Sequence, residues 1–272
     1  MSIRNSMQKN CFPQLQEPRP WSLKSTDGDD TLLGSNRSDF INGRAGNDTI
    51  LDLGTANGAR PDFFFGGAGN DVIRTQWGRD KVVGGSGNDL IVSRSDAGEP
   101  LVAQNPSQAT YNKDQPYGGN ATNDVLTGGD GSDTFLFRMD LDARPDIVAK
   151  HVDDAGIVDW EGVAGENSAA HLHWVNSIGK DTITDFNRAQ GDMIKIEGHT
   201  AAIDIKYADI NRDGKMESII AVRSDQGGAG SHNGDSLGTI VVFGDRVEIG
   251  DVAVNAGVHH GAYGSINDMM IA

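Results

Sequence analysis

The chain repeats itself every nine residues, and that period limits its possible folds more than any other feature. On a frame G-G-x-G-x-D-x-U-x, with U large and apolar, three units stand in direct succession: STDGDDTLL (25–33), GSNRSDFIN (34–42) and GRAGNDTIL (43–51). After residues 52–56 come NGARPDFFF (57–65), GGAGNDVIR (66–74), TQWGRDKVV (75–83) and GGSGNDLIV (84–92). Beyond a longer interruption follow GNATNDVLT (119–127) and GGDGSDTFL (128–136). The sixth positions are Asp30, Asp39, Asp48, Asp62, Asp71, Asp80, Asp89, Asp124 and Asp133. The eighth positions are Leu32, Ile41, Ile50, Phe64, Ile73, Val82, Ile91, Leu126 and Phe135. A flexible glycine-rich linker holds no such phase.

The frame has a direct physical reading. Glycines adopt backbone angles closed to other residues, so six residues make a tight turn with carbonyls facing one way. The last three residues form a short strand whose eighth residue points inward. One unit buries almost nothing alone, but stacked units bury a continuous narrow ladder of Leu, Ile, Val and Phe. If each unit is a turn plus a strand, two units complete one coil, and turns of like parity stack on one edge. The expected fold is all-β: a parallel β-roll over 25–137, closed by a C-terminal β cap.

Stacking also brings aspartates together. Two carboxylates ~4 Å apart repel by about 1 kcal/mol in water and about 4 kcal/mol at a protein surface. Carboxylates and backbone carbonyls are hard oxygen ligands that suit calcium in a flexible site of six to eight ligands. The metal is therefore read as Ca2+, several ions, with folding coupled to binding. Composition agrees. Only 37% of residues are hydrophobic and 6% aromatic, a thin supply for a core, and the net charge is −16. That charge excludes a nucleic-acid binder that reads phosphates through a basic surface. Cys11 is the single cysteine, so no intrachain disulfide forms. No apolar run approaches the ~18 residues of a membrane span.

These repeats resemble those of the repeats-in-toxin, or hemolysin-type calcium-binding, family, whose units form a parallel β-roll. The stretch GKDTITDFNRAQGDMIKIEG (179–198) resembles the segment that closes the roll in secreted members. The resemblance implies export from a Gram-negative bacterium by a type I exporter, which reads a C-terminal signal. The N-terminal residues lack an apolar signal core, and Asp268-Met269-Met270-Ile271-Ala272 resembles the acidic-then-apolar tail of such signals. The expected organisation is an N-terminal extension (1–24), the roll with an insertion at 93–118, a loop insertion (138–178), a β cap (179–260) and a secretion tail (261–272).

The two edges of the roll differ. Odd turns carry Asp30, Asp48, Asp71, Asp89 and Asp133, each with glycine at the fourth position: Gly28, Gly46, Gly69, Gly87 and Gly131. This edge is expected to hold calcium between successive aspartates. Even turns carry Asp39, Asp62, Asp80 and Asp124, with Arg37, Arg60, Gly78 and Thr122 at the fourth position and Arg79 at one fifth position. This edge is expected to be partly occupied, with arginine as an alternative neutralising charge. Residues 52–56, 93–118 and 138–178 all follow strands that leave odd turns, so all extend the same edge. Either that edge carries recognition, or it has drifted under weaker constraint.

Outside the repeats, Asp209, Asn211, Asp213 and Glu217 stand at positions 1, 3, 5 and 9 of a loop with Gly214 at position 6. The pattern resembles short calcium loops between strands, although Ile220 stands where an EF-hand has its bidentate glutamate. The alternative is an Asp-rich hairpin turn. Alternating stretches at 203–207, 218–222 and 239–243 suit a β cap covering the last open strand edge. His171-x-His173, the pair Trp160 and Trp174, and Asp153-Asp154 beside His151 are weaker constellations; solvated loops or packing explain them as well. No H-E-x-x-H, G-x-S-x-G or P-loop is present.

The sequence thus supports a secreted calcium-binding protein, structural or interactive, with extracellular polysaccharide or a surface protein as partner. The alternative is a polysaccharide-active lyase or epimerase with its site on the loop-bearing edge. A third possibility is a repeat fragment of a longer adhesin.

Overall fold

The computed structural model describes residues 25–53, 60–94, 123–139, 141–143, 150, 157–158, 173–175, 178–197, 201–224, 236–255 and 259–260. Strands from alternate turns sort into two sheets. The first is wholly parallel and holds, in spatial order, β1 (Thr31–Leu33), β3 (Thr49–Leu51), β5 (Val72–Arg74), β7 (Leu90–Arg94), β9 (Thr134–Arg138), β14 (Met193–Glu197) and β18 (Val252–Asn255). The second begins with β2 (Phe40–Ala45), β4 (Phe63–Ala68), β6 (Lys81–Ser86), β8 (Val125–Asp130) and β13 (Lys180–Phe186), again parallel. It continues through β17 (Ser236–Gly244), parallel to β13, and then β16 (Glu217–Ser224) and β15 (Ala201–Ala208), both antiparallel. Two short antiparallel pairs stand apart: β10 (Leu141–Ala143) with β12 (His173–Val175), and β11 (Ile157–Val158) with β19 (His259–His260). Among the described residues no helix is long and apolar enough to cross a membrane.

The core follows from the register. In the first sheet Leu32, Ile50, Ile73, Ile91, Phe135 and Ile194 align across neighbouring strands; in the second Ile41, Phe64, Val82, Leu126 and Ile183 do the same. All nine apolar residues expected to point inward are buried. Even-turn strands run for six residues, whereas odd-turn strands span three to five. The longer ones carry on through the glycine pair that opens the next turn, as in FFFGGA of β4.

The parallel stacking passes beyond residue 137. β13 extends the second sheet after β8, and β14 extends the first after β9, so the column of buried apolar residues runs on through Ile183 and Ile194. The antiparallel β15–β16–β17 meander then follows on the second sheet. Strands β3, β7 and β9, which precede the three sequence interruptions, all lie in the first sheet and so leave toward one edge.

Candidate metal centre

Each aspartate of a turn is tied to the coil before it. On the odd edge the N–H of Asp30 donates to Asp48 Oδ1 at 2.8 Å, that of Asp48 to Asp71 at 2.7 Å, that of Asp71 to Asp89 at 2.8 Å and that of Asp89 to Asp133 at 2.8 Å. The next link is Asp133 N–H to Asp192 Oδ1 at 3.0 Å. On the even edge Asp39, Asp62 and Asp80 donate to Asp62, Asp80 and Asp124, and Asp124 donates to Asp181 at 2.9 Å. Asp181 and Asp192 therefore complete the two columns. The sequence reading, keyed to glycine-rich turns, did not include them. Their signal was the D-x-U remnant, Asp181-Thr-Ile183 and Asp192-Met-Ile194, placed two residues before the inward residue as in every repeat.

A second, neutral column runs beside the odd aspartates. Asn47, Asn70, Asn88 and Ser132 donate their N–H groups to Asp29, Asn47, Asn70 and Asn88 side-chain oxygens at 2.7–2.8 Å. The Asn-Asp pairs in GRAGND, GGAGND and GGSGND were its visible sign.

One oxygen of each aspartate thus serves the backbone. The other decides what the site can hold. In Asp48, Asp71, Asp89 and Asp133, Oδ2 is buried and accepts no hydrogen bond. A Cβ at Gly43 would lie 2.2 Å from Asp48 Oδ2 and 2.5 Å from the Gly66 carbonyl oxygen. The same cradle recurs at Gly66 with Asp71 Oδ2 and the Gly84 carbonyl, and at Gly84 with Asp89 Oδ2 and the Gly128 carbonyl. Only glycine leaves room there, so carboxylate and carbonyl oxygens from two coils converge. Such a set of hard oxygen donors, buried without a hydrogen-bond donor, fits calcium. Calcium, when bound, supplies the positive charge that the aligned carboxylates lack.

The position-four glycines, counted with the aspartates as calcium-site residues from the sequence, pack closely from coil to coil. Gly69 has φ +134°, and a Cβ on it would lie 2.0 Å from the Gly46 carbonyl oxygen; Gly87 repeats this against Gly69, and Gly131 against Gly87 at 1.9 Å. They set the spacing between coils and leave the carbonyls of the turn stacked. Gly28, in the first coil, is exposed and meets only Thr26 Oγ1 at 3.9 Å.

The end rungs are closed by the chain itself. Asp30 Oδ2 accepts from the N–H and hydroxyl of Thr26, and Asp39 Oδ2 from those of Ser35. At the other end Asp192 Oδ2 accepts from Asn187 N–H, and the Asp185 carboxylate receives the N–H groups of Gly128 and Gly129. The buried oxygens that accept nothing on the odd edge therefore belong to the inner rungs.

Burial raises these acids. It pushes Asp89 to about 7 and Asp133 to about 6, and holds Asp48, Asp71 and Asp192 above the usual carboxylate range. The N–H each one accepts works against this, and the charge of neighbouring aspartates adds to it. On the even edge burial pushes Asp62 to about 7 and drives Asp80, Asp124 and Asp181 upward as one interacting group.

The even edge is built from other chemistry. Arg37, Arg60 and Arg79 are exposed at the turn surface. Hydroxyls reach two of the deep carboxylates: Thr75 Oγ1 donates to Asp124 Oδ2 at 2.9 Å, and Ser93 Oγ to Asp181 Oδ2 at 3.1 Å. Asp52, absent from the sequence-derived ligands, brings a carboxylate oxygen within 4.8 Å of those of Asp62 and Asp80.

Asp209 and Asp213, in the loop between β15 and β16, gather with Glu217 at the start of β16, their carboxylate oxygens within 4.8 Å of one another. Asp209 takes N–H groups from Asp213 and Gly214, while Asn211 donates to Asp213 Oδ2 at 3.0 Å. Glu217 is buried and accepts from Ile210 N–H. His173 and Trp174 lie on β12. His151, Asp153, Asp154, Trp160, His171, Thr122, most of 93–118 and the tail 261–272 lie outside the described residues.

Residues 25–51, 57–91 and 119–137 match the family described as RTX calcium-binding nonapeptide repeat, in four copies. No curated protein matches the chain. Among solved structures, the extracellular lipase LipA from Serratia marcescens is similar at 14% identity and TM-score 0.24, over 85% of this chain. The chain spans only 39% of that lipase. The AlgE6R3 subunit of the Azotobacter vinelandii mannuronan C5-epimerase is similar at 17% identity and TM-score 0.27, over 90% of this chain and 93% of that one. The repeats, their phase and the two stacked parallel sheets converge: this is an all-β chain that carries RTX calcium-binding nonapeptide repeats folded as a parallel β-roll.

Proposed function

We propose that this is a secreted protein whose β-roll folds on binding several calcium ions, and that its role is structural or interactive at the cell surface or in extracellular matrix. The observation that carries this reading is the row of buried Oδ2 atoms on Asp48, Asp71, Asp89 and Asp133, each beside a glycine cradle and none with a donor. Such a column is unstable in calcium-poor cytoplasm and stable outside the cell, where millimolar calcium saturates sites with Kd of about 10⁻⁴–10⁻³ M. Export by a type I system would then pass a loose chain, and the roll would close outside. The loop Asp209-Asn211-Asp213-Glu217 is a separate calcium site in this reading. Partners are extracellular polysaccharide or a surface protein, met on the loop-bearing edge.

Circular dichroism with and without chelator tests the central point. The expected result is strong β signal at 10 mM calcium and its loss in chelator at neutral pH. Equal β content in both conditions would overturn it. A glycan-binding screen with and without calcium, read beside lyase and epimerase assays, separates the interaction role from a polysaccharide-active enzyme.

A further inference from the structure

Gly34, Asp52, Thr75 and Ser93 form a column on the even edge; the first three directly follow β1, β3 and β5, and Ser93 stands at the matching place within β7. Gly34 N–H donates to Leu51 O at 2.7 Å, Asp52 N–H to Arg74 O at 3.0 Å and Thr75 N–H to Val92 O at 2.9 Å, so the four stand in register. Four of the five odd turns have glycine at this position: Gly43, Gly66, Gly84 and Gly128, with Ser25 in the first. The even column instead projects side chains into the roll, and their chemistry changes along it.

Thr75 and Ser93 are donors. Thr75 Oγ1 reaches the aspartate of the following coil, Asp124, and Ser93 Oγ reaches Asp181 with a longer contact to Asp124 at 3.4 Å. One coil earlier the same position is Asp52, an acid, and the aspartates it meets are Asp62 and Asp80. All three are at most 2% exposed. Asp80 Oδ1 is engaged by Asp62 N–H at 2.9 Å, but its Oδ2 is buried and accepts no hydrogen bond. Arg60 O and Asp80 Oδ1 both crowd Gly78, lying 2.5 and 2.6 Å from where its Cβ would stand. A backbone carbonyl therefore lies beside the carboxylates.

We propose that Asp52, Asp62 and Asp80 form one divalent-cation site of their own on the loop-bearing edge, of the calcium class, and that ion binding on this edge ends there. A side-chain carboxylate takes the place that glycine holds in each repeat site of the other edge. Past it, Thr75 and Ser93 close the next two rungs with hydroxyls, so Asp124 and Asp181 need no ion. The two edges thus carry different numbers of ions. The inference rests on the reading that the roll binds calcium.

The experiment is an ion count on the full chain by native mass spectrometry, matched by calcium titration calorimetry. Asp52→Ser installs at this rung the hydroxyl found at Ser93. The variant is expected to bind one calcium fewer than the parent while keeping its β spectrum in saturating calcium. Asp52→Asn, which keeps the side-chain shape, is expected to lose the same ion and serves if the serine variant does not fold. A folded variant with the parent's count overturns the site, and means that protons or neighbouring cations hold the three acids together. A parent that takes up no calcium overturns the broader reading instead, a result distinguishable from the first.

Discussion

Replacing Asp71 by asparagine separates the two jobs of a rung. Asparagine keeps an oxygen to accept the N–H of Asp48, which lies 2.7 Å from its acceptor in the parent, so the link between coils survives. What changes is Oδ2, the buried atom that accepts nothing, which becomes an NH2 group in the cradle beside Gly66. With coils ~4.8 Å apart, repulsion from one neighbouring carboxylate is about 3.5 kcal/mol at an effective dielectric near 20. The substitution removes that repulsion, so the calcium-free chain should gain stability, by up to about 3 kcal/mol before solvent screening. In 10 mM calcium it forfeits one site. For a Kd of about 10⁻⁴ M that is about 2.7 kcal/mol, or roughly 5–10 °C in Tm for a chain of this size. The gain seen in chelator is therefore largely cancelled in calcium. Thermal melts followed by circular dichroism, in chelator and in 10 mM calcium, read both arms. A variant that melts lower in chelator, or that keeps its full gain in calcium, refutes the assignment of Oδ2 as a ligand.

Acid should partly replace calcium. Asp62 and Asp89 lie near 7 and Asp133 near 6 in the folded chain, against 3.8 for an unperturbed aspartate, so the folded state holds protons that the unfolded state releases. Stability without calcium is then fully present at about pH 4 and is lost as pH rises through 6 to 7; a chelated sample that gains no β signal between pH 7.5 and 5 would count against this. Calcium affinity should move the other way and weaken below pH 6, as titration calorimetry at two pH values would report. Gly85→Ala places a Cβ 2.0 Å from Gly67 O at φ +126°, which should cost about 3 kcal/mol or more by urea denaturation in saturating calcium. Ile73→Ala, at a fully buried rung of the core, should cost about 2–5 kcal/mol in the same assay. Asp213→Asn should remove one ion from the count without moving the calcium midpoint of the β signal, since its loop lies away from the roll's columns.

The apolar ladder was legible because the period forces it: residues at the eighth position, from Leu32 to Phe135, have no other place to go. The odd-edge acids were legible for the same reason. Asp181 and Asp192 were not, because their turns keep a single glycine each, Gly179 and Gly191, and a frame weighted toward glycine passes over them. The structure shows that an acid two residues before an inward apolar residue is enough to make a rung. Thr75 and Ser93 were invisible for another reason. Their partners lie 49 and 88 residues away, across an insertion whose length says nothing about register. Asp52 looked like the start of an interruption, and only the backbone bond to Arg74 reveals it as the first residue of a turn.

The acid columns have a polarity. Each aspartate amide in them is served by the carboxylate of a later aspartate. Shortening the chain from the front takes one amide from each acid column and leaves the next carboxylate without that donor. Trimming it behind Phe137 takes Asp181 and Asp192 away and leaves the amides of Asp124 and Asp133 bare, so the distal segment is the slider that keeps the whole zipper fastened.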